Sequence, residues 1–457
     1  MSQGILEYKL KPSQEQCLAI DEAIRTTQFL RNRGIKVWED TPGTNRTILQ
    51  RLSKTLAQEF PFVTKLNASA RQAALDRSWS SIKRFYDNCR KKKPGKKGYP
   101  RYKHDVRSVE YKTSGWKLSE DRKTIKFTDG NDIGKLEMWH PTSQSQKKTH
   151  HHLDHYSTEN IKRVRIIRQA DGYYVQFLIE GYQNLLEKEK TGNLVAIDVG
   201  SSNYLTDHQG QETECPQWLK KQEKKLKKLQ REHSRKQKGS QRRERARIRL
   251  AKAHLRISRQ RKDFAIKQAR ALHMSNDIIF CENLDVQKLM QGKCRKSMAN
   301  AGLGGFFQWL HYYSGLGGAA VVDVEAAYST WECWVCGDRV PKELSQRWHH
   351  CLKCDASLGR DHNSALVILK RGFKKIMGSS GHEAFLESLD PETLKQLEDL
   401  EPLGLKARAL VLSSGDDLRT PGFSRGECQE YPYQELNDLR PQIFVGSVAP
   451  PPLFAIR

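Results

Sequence analysis

The stretch CWVCGDRVPKELSQRWHHCLKCDASLGRD, Cys333 to Asp361, decides how the rest of the chain is read. Cys333-x-x-Cys336 and Cys351-x-x-Cys354 are separated by fourteen residues, a spacing that suits a tetrahedral four-thiolate zinc site. Each Cys-x-x-Cys turn can offer two thiolates to one ion, and the loop between lets the two turns face each other. Gly337 relaxes the backbone after the first pair; Asp355 takes the equivalent place after the second, where Asp is tolerated. Four protein ligands close the coordination shell, so this zinc would be structural rather than catalytic. Seven residues after Cys354 comes Asp361, which opens a helical pattern, NSALVILKRG, reaching Gly372.

Two further acids sit in comparable places. A short apolar strand, Leu194 to Ile197, is followed by Asp198, and a second, Ile278 to Cys281, ends in Glu282. A third strand, AVVDVEA, precedes the cysteines, and a helix with Phe306, Phe307, Trp309 and Leu310 precedes that strand. Short continuous apolar runs are the mark of buried, parallel strands. This layout can bring Asp198, Glu282 and Asp361 to one edge of a sheet. Three clustered carboxylates are unfavourable unless divalent cations neutralise them, and hard oxygen ligands select Mg²⁺ or Mn²⁺. Two such ions about 4 Å apart can activate a water and stabilise the leaving oxygen of a phosphodiester. Any one of these acids alone reads equally well as a loop cap.

The charge balance points to a polyanion. Of 457 residues, 79 are Lys or Arg and 53 are acidic, a formal net charge of +26. Mean hydropathy is −0.74 and the isoelectric point is near 9.6. Such an excess repels itself unless it is neutralised, and nucleic acid is the usual partner. Between Lys220 and Lys262 lie 20 Lys/Arg against three Glu, a net +17 on two helical stretches broken at Gly239-Ser240. Leu219, Leu226, Leu229, Leu250 and Ile257 give this segment an apolar seam, so a helical hairpin over 217–275 that tracks nucleic acid is expected. A second basic segment, RKKKPGKKGYPRYK at Arg90–Lys103, interleaves Tyr99 and Tyr102 and suits phosphate contact with base stacking. No membrane span, signal peptide or lipidation motif is evident, and six scattered cysteines (Cys17, Cys89, Cys215, Cys281, Cys294, Cys428) read as free thiols. A soluble, cytoplasmic protein, nucleoid-associated when on its target, is expected.

The amino-terminal part reads as a strand, Tyr8 to Leu10, and helices from Pro12-Ser13, over Asn45–Glu59 and over Ala68–Asn88. Residues 109–183 read as β, with a hairpin across Asp171-Gly172. THHHLDH, Thr149 to His155, lies among these strands and reads as a mobile loop rather than a metal site. The tail, 373–457, carries nine basic and thirteen acidic residues and reads as a weakly structured appendage.

The order AIDVG, basic hairpin, CENL, CxxCG…CxxC and RDHNSALVILKRG resembles the RuvC-like nuclease domain of the TnpB family, transposon-encoded RNA-guided nucleases to which the compact type V CRISPR effectors are similar. The resemblance covers roughly residues 5–372. It implies an α+β multidomain chain: an amino-terminal, β-barrel-like wedge with a helical recognition module, then an RNase H-like (RuvC) α/β domain with an inserted four-cysteine zinc knuckle. The expected domains are a wedge and recognition lobe at 1–183 (helical insertion about 13–100), a linker at 184–193, a nuclease domain at 194–372 with its knuckle at 331–356, and the tail. The resemblance makes Asp198 the carboxylate that bridges two Mg²⁺ (or Mn²⁺) ions, with Glu282 and Asp361 each completing one shell. It makes the knuckle cysteines the ligands of a structural Zn²⁺. It also implies a guide RNA and a double-stranded target DNA as partners, with sequence read mainly by guide pairing. Lys91, Lys92, Lys93, Lys96, Lys97, Arg101, Arg235, Lys236, Lys238, Arg242 and Arg243 are the candidate backbone contacts, and Arg360 a candidate contact to the scissile phosphate or an ion-pair partner. Monomer and homodimer both remain open. A compact type V effector guided from a CRISPR array, a non-cutting RNA-guided repressor and a DNA-joining transposase are the competing readings.

Overall fold

The computed structural model describes residues 3–92, 95–139, 153–181, 189–292, 295–343 and 345–377. The chain divides into two units, Met1–Leu185 and Leu186–Arg457. No helix among the described residues is long and apolar enough to cross a membrane.

The first unit opens with β1 (Gln3–Lys11) and helices α1 (Gln14–Asp40), α2 (Arg46–Glu59), α3 (Pro61–Thr64) and α4 (Ala68–Arg90). Strands β2 (Ser108–Tyr111), β3 (Trp116–Leu118), β4 (Thr124–Phe127), β5 (Gly134–Met138), β6 (Ile161–Gln169) and β7 (Gly172–Glu180) follow. β1 is longer than the expected Tyr8–Leu10 because its alternation begins earlier: Gly4, Leu6, Tyr8 and Leu10 all face inward. Ser13 then stops the strand and starts α1 through a capping box, exchanging hydrogen bonds with Gln16 at 3.2 and 3.0 Å. Asn45 and Asn67 cap α2 and α4 one way only, their side chains accepting from the Ile48 and Ser69 N–H groups. The seven strands form one antiparallel sheet in the order β2-β6-β7-β1-β5-β4-β3. Its two ends approach each other: Tyr111 of β2 packs on Phe127 of β4 with ring centroids 4.9 Å apart, so the sheet is nearly closed. One apolar core joins Leu6, Tyr8, Ile125 and Phe177 of the strands with Ile20, Ile24 and Ala70 of the helices.

Inside this unit a carboxylate is buried. Glu110 on β2 is 2% exposed and is bound by Arg77 of α4 and by Arg163 and Arg165 of β6. Burial alone would raise its pKa, but the three guanidiniums hold it at about 2. His150–His152 of the histidine-rich stretch lie outside the described residues; Leu153–His155 form a 3₁₀ turn, where the Leu153 N–H donates to Tyr8 Oη at 2.9 Å.

The second unit contains β8 (Leu194–Val199), β9 (Asn203–Asp207), β10 (Glu212–Glu214), α5 (Trp218–Arg235), α6 (Gln241–Ser275), β11 (Ile278–Glu282), α7 (Val286–Leu289), α8 (Arg295–Ala301), α9 (Leu303–Gly315), β12 (Ala320–Val324), β13 (Trp348–His350), β14 (Ser357–Gly359) and α10 (Arg360–Met377). β10-β9-β8-β11-β12 form a five-stranded sheet in which β8, β11 and β12 are parallel and β9 and β10 turn back antiparallel. The pleat sorts its residues. Val195, Ile197, Ile279 and Cys281 face α6 and α9, packing on Ala265, Ala269, Phe306 and Leu310. Leu194, Ala196, Ile278, Phe280 and Val324 face α10, packing on Ile368, Leu369, Phe373 and Ile376.

Two expectations are corrected here. The amino-terminal part of the tail is helical, because Phe373 and Ile376 continue the buried stripe of α10 to Met377; residues 378–457 lie outside the described set. Asp198 and Glu282 lie within their strands rather than after them. α10 can sit this close to the sheet because residue 372 is glycine: a Cβ there would fall 2.1 Å from Phe280 Cδ1.

Candidate active site

The register of the parallel strands places the first two acids. β8 and β11 pair Leu194 with Ile278, Ala196 with Phe280 and Ile197 with Cys281. One step further along both strands, just past the last paired rung, stand Asp198 and Glu282. By alternation they share the face of Ala196 and Phe280, the face that α10 covers. Asp361 lies in the first turn of α10, so the helix that packs on this face also carries the third carboxylate to its end.

Asp198 is 9% and Glu282 6% exposed. Burial first, then the charges of Glu282 and Asp361, push the Asp198 carboxyl well above the usual carboxylate range, against the pull of Arg360. Burial likewise raises Glu282, opposed by a hydrogen bond with Ser329 and by Arg371. Glu282 Oε1 is buried and accepts no hydrogen bond among the described residues. A buried carboxylate oxygen without a donor, near two more carboxylates, offers hard oxygen donors of the kind Mg²⁺ or Mn²⁺ takes, although among the described residues only the four cysteines gather tightly enough to form a metal-ligand cluster.

Asp361 is held by its neighbours. Arg360 donates to Asp361 Oδ1 from Nε and Nη2 at 3.0 and 2.9 Å, and Arg347 Nη1 lies 3.8 Å from Oδ2. Arg360 Nη1 also donates to the Gln346 carbonyl at 3.0 Å, and its side chain is only 12% exposed. Arg360 thus makes an ion pair with Asp361, and the pair is tucked in rather than on the surface. The sequence reading missed Ser329, Arg347 and Arg371, whose contacts are all made across separations that leave no local pattern.

The knuckle closes on itself. The four Sγ atoms of Cys333, Cys336, Cys351 and Cys354 all lie within 4.8 Å of one another, with two pairs at 3.6 Å. Zinc–sulfur bonds of about 2.3 Å in a tetrahedron separate the sulfurs by about 3.8 Å, so the cluster fits that ion. The two turns repeat each other: the Gly337 N–H donates to Cys333 O and the Asp355 N–H to Cys351 O, both at 2.8 Å. Both residues adopt positive φ, +75° and +59°. Burial works against the Cys351 thiolate, yet the N–H groups of Cys354 and Lys353 bring it down to about 7, while burial pushes Cys333 up to about 12. Asn363, fully buried two residues past Asp361, fastens the knuckle to α10. It accepts from the Trp334 N–H at 3.2 Å and donates to the Glu332 carbonyl at 2.7 Å. The cysteine turns and the third acid are thus tied into one piece.

The basic candidates occupy separate places. Lys91, Lys92, Lys96 and Arg101 are exposed and Lys97 half-buried at the end of α4 and in the loop beyond, whereas Lys93 lies outside the described residues. Arg235, Lys238 and Arg242 are exposed around the α5–α6 turn. Arg243 is engaged there, donating to the Lys236 carbonyl at 2.7 Å.

Comparison with known proteins bears on the whole arrangement. Residues 176–292, which include Asp198, both basic helices and Glu282, match the OrfB_IS605 family, described as a probable transposase. Residues 304–368, which include the knuckle and Asp361, match the Cas12f1-like TNB domain. No curated protein matches the chain. Among solved structures it is similar to a Cas12f1–sgRNA–target DNA complex, at 14% identity over 78% of this chain and 81% of that one, TM-score 0.43. It is also similar to the mini-RNA-guided endonuclease CRISPR-Cas_phi3, at 11% identity over 81% and 92%, TM-score 0.42. CasPhi-2 (Cas12j) bound to crRNA and phosphorothioate-DNA gives 11% identity over 81% and 91%, TM-score 0.40. Two domain matches, one transposase-type and one Cas12f1-like, thus stand in succession over the three acids, and this part of the chain is similar to both.

Proposed function

We propose that this protein is an RNA-guided DNA endonuclease whose second unit is a RuvC-like nuclease domain with a zinc knuckle, and whose first unit is the wedge and recognition lobe. The observation that carries the reading is the convergence of three acids, with Glu282 and Asp361 near enough to raise the Asp198 carboxyl and with Glu282 Oε1 buried and without a donor among the described residues. In this reading Asp198, Glu282 and Asp361 hold two Mg²⁺ or Mn²⁺ ions. The metal, when bound, supplies charge neutralisation, an activated water and stabilisation of the leaving oxygen. Ser329 orients Glu282 by its hydrogen bond, and Arg360 with Arg347 fixes the Asp361 carboxylate for its ligand role. The knuckle cysteines hold a structural Zn²⁺ that keeps Asn363 and α10 in place.

The exposed lysines and arginines beyond α4 and around the α5–α6 turn supply phosphate contacts to guide RNA and target DNA, which makes assembly strongly salt-dependent. Guide pairing reads the target sequence, next to a short flanking motif. The transposase-type match favours a guide from the transposon end, and the Cas12f1-like match favours one from a CRISPR array. Purifying the protein with its native genomic flanks and sequencing the bound RNA separates them. A transposon-end RNA that directs Mg²⁺-dependent cutting of matched DNA supports the transposon nuclease, and repeat-spacer RNA moves it to the array-guided effectors. RNA-directed binding without cutting in Mg²⁺ or Mn²⁺ overturns the nuclease reading in favour of a repressor.

A further inference from the structure

Near the acids lies an open cleft that the three carboxylates do not use. It offers about 450 Å³ and is lined by Tyr328, Arg339, Arg371, Lys374 and Lys375, with Glu325 its one acid. Its lining includes Val324, the residue paired with Glu282 across β11 and β12. The cleft therefore begins one strand away from the site.

Tyr328 is its unusual member. It has φ +61°, a left-handed conformation that is a genuine outlier for a bulky side chain. The conformation is locked, because the Tyr328 carbonyl accepts from the N–H groups of Trp331 and Glu332 at 2.9 and 3.0 Å. It also sends neighbouring side chains to different tasks: Ser329 is buried against Glu282, while Tyr328 stays 50% exposed in the cleft. The Arg339 guanidinium lies 4.3 Å from the Tyr328 ring centroid, forming a stacked pair, and Trp331 meets the same ring at 5.5 Å. Arg371 donates to the Glu325 carbonyl and to Glu332, and Lys375 to the Asp323 carbonyl. Lys374 is exposed, with no hydrogen bond or ion pair to the described residues, and faces the same cleft.

We propose that this cleft is a nucleotide subsite for the strand being cut: an unpaired base stacks on the Tyr328–Arg339 pair and its phosphate meets Lys374. The inference rests on the nuclease reading above. Stacking on aromatic and guanidinium planes suits any unpaired base, and a free cation beside it selects the phosphate. The occupant must be single-stranded, since a base inside a duplex has no free face to offer.

The test uses the full chain with its bound guide RNA, and oligodeoxynucleotides carrying 4-thiothymidine at successive positions around the cut. In a Glu282→Gln background, ultraviolet crosslinks are expected to the Tyr328 or Arg339 peptide from one or two adjacent positions. With the otherwise wild-type protein, Tyr328→Ala slows cutting about tenfold with an unchanged melting temperature, and Tyr328→Trp restores it. An abasic site at the crosslinking position slows the wild type and leaves Tyr328→Ala indifferent. Crosslinks confined to the basic hairpin, or a Tyr328→Ala variant that cuts as fast as the wild type, overturn the subsite. If the wild type never cuts matched DNA, the nuclease reading falls instead, and the crosslink map still decides whether the cleft holds a nucleotide.

Discussion

Each unit buries carboxylates, and treats them in opposite ways. Glu110 in the first unit sits among Arg77, Arg163 and Arg165, and its pKa falls to about 2. Asp198 and Glu282 in the second unit face each other and Asp361, and both rise. Burial penalises all three ionised groups alike, so the difference lies in the neighbours supplied. Where a chain places three guanidiniums around one acid, the charge is balanced within the fold and the cluster is structural. Where it gathers acids and leaves a buried oxygen without a donor, the balance must come from outside.

The largest expected effect breaks the second cluster. Asp198→Ala, Glu282→Ala or Asp361→Ala should lower guide-directed DNA cutting by at least about 1,000-fold, since the lost charge stabilisation is several kcal/mol. Binding of the guide RNA, measured by filter retention, should stay within about twofold of the wild type, because none of the three acids is a phosphate ligand by itself. Removing zinc comes next. Chelation, or Cys351→Ser, should loosen the knuckle and release Asn363 from α10, read as new protease cleavage between Trp331 and Arg360 and as loss of one zinc by metal analysis.

The first cluster should fail differently. Glu110→Ala leaves buried arginines without their anion and should cost about 3–5 kcal/mol in urea unfolding of the first unit. Because the folded pKa of Glu110 lies below its ordinary 4.5, its contribution is present above pH 4.5 and disappears as pH falls towards about 2. Acid titration of wild type against Glu110→Gln checks this sign. Gly372→Ala is the mildest change. The added Cβ meets Phe280, so despite better helix propensity the second unit should lose about 1–3 kcal/mol by overpacking.

How much of this was legible in the sequence depended on range. The knuckle spacing, the strands bearing Asp198 and Glu282, and the basic helices were visible because each is a local pattern. The β9–β10 turn-back was not, since SSNYLTDHQG is mostly polar and only Tyr204, Leu205 and Thr206 are buried against β8. Nor was Glu110, which reads as a solvent-facing residue of an alternating strand until Arg77 arrives from α4 and the β6 arginines from the next strand. Ser329 and Arg347 were hidden for the same reason: a single polar residue carries no period, and its partner lies outside its own stretch of chain.

The measurement that tests the central claim most directly is the melting of the second unit with and without Mn²⁺, for the wild type and Asp198→Asn. A carboxylate whose folded pKa is raised favours folding below its ordinary pKa and loses that contribution as pH rises through the folded value, so at neutral pH the metal-free acids destabilise the fold. The account predicts that in EDTA the Asn variant melts higher than the wild type. It further predicts that Mn²⁺ raises the wild type progressively with its concentration and leaves the variant unmoved. A variant that melts lower in EDTA, with both proteins responding equally to Mn²⁺, would show that these carboxylates are structural, as Glu110 is.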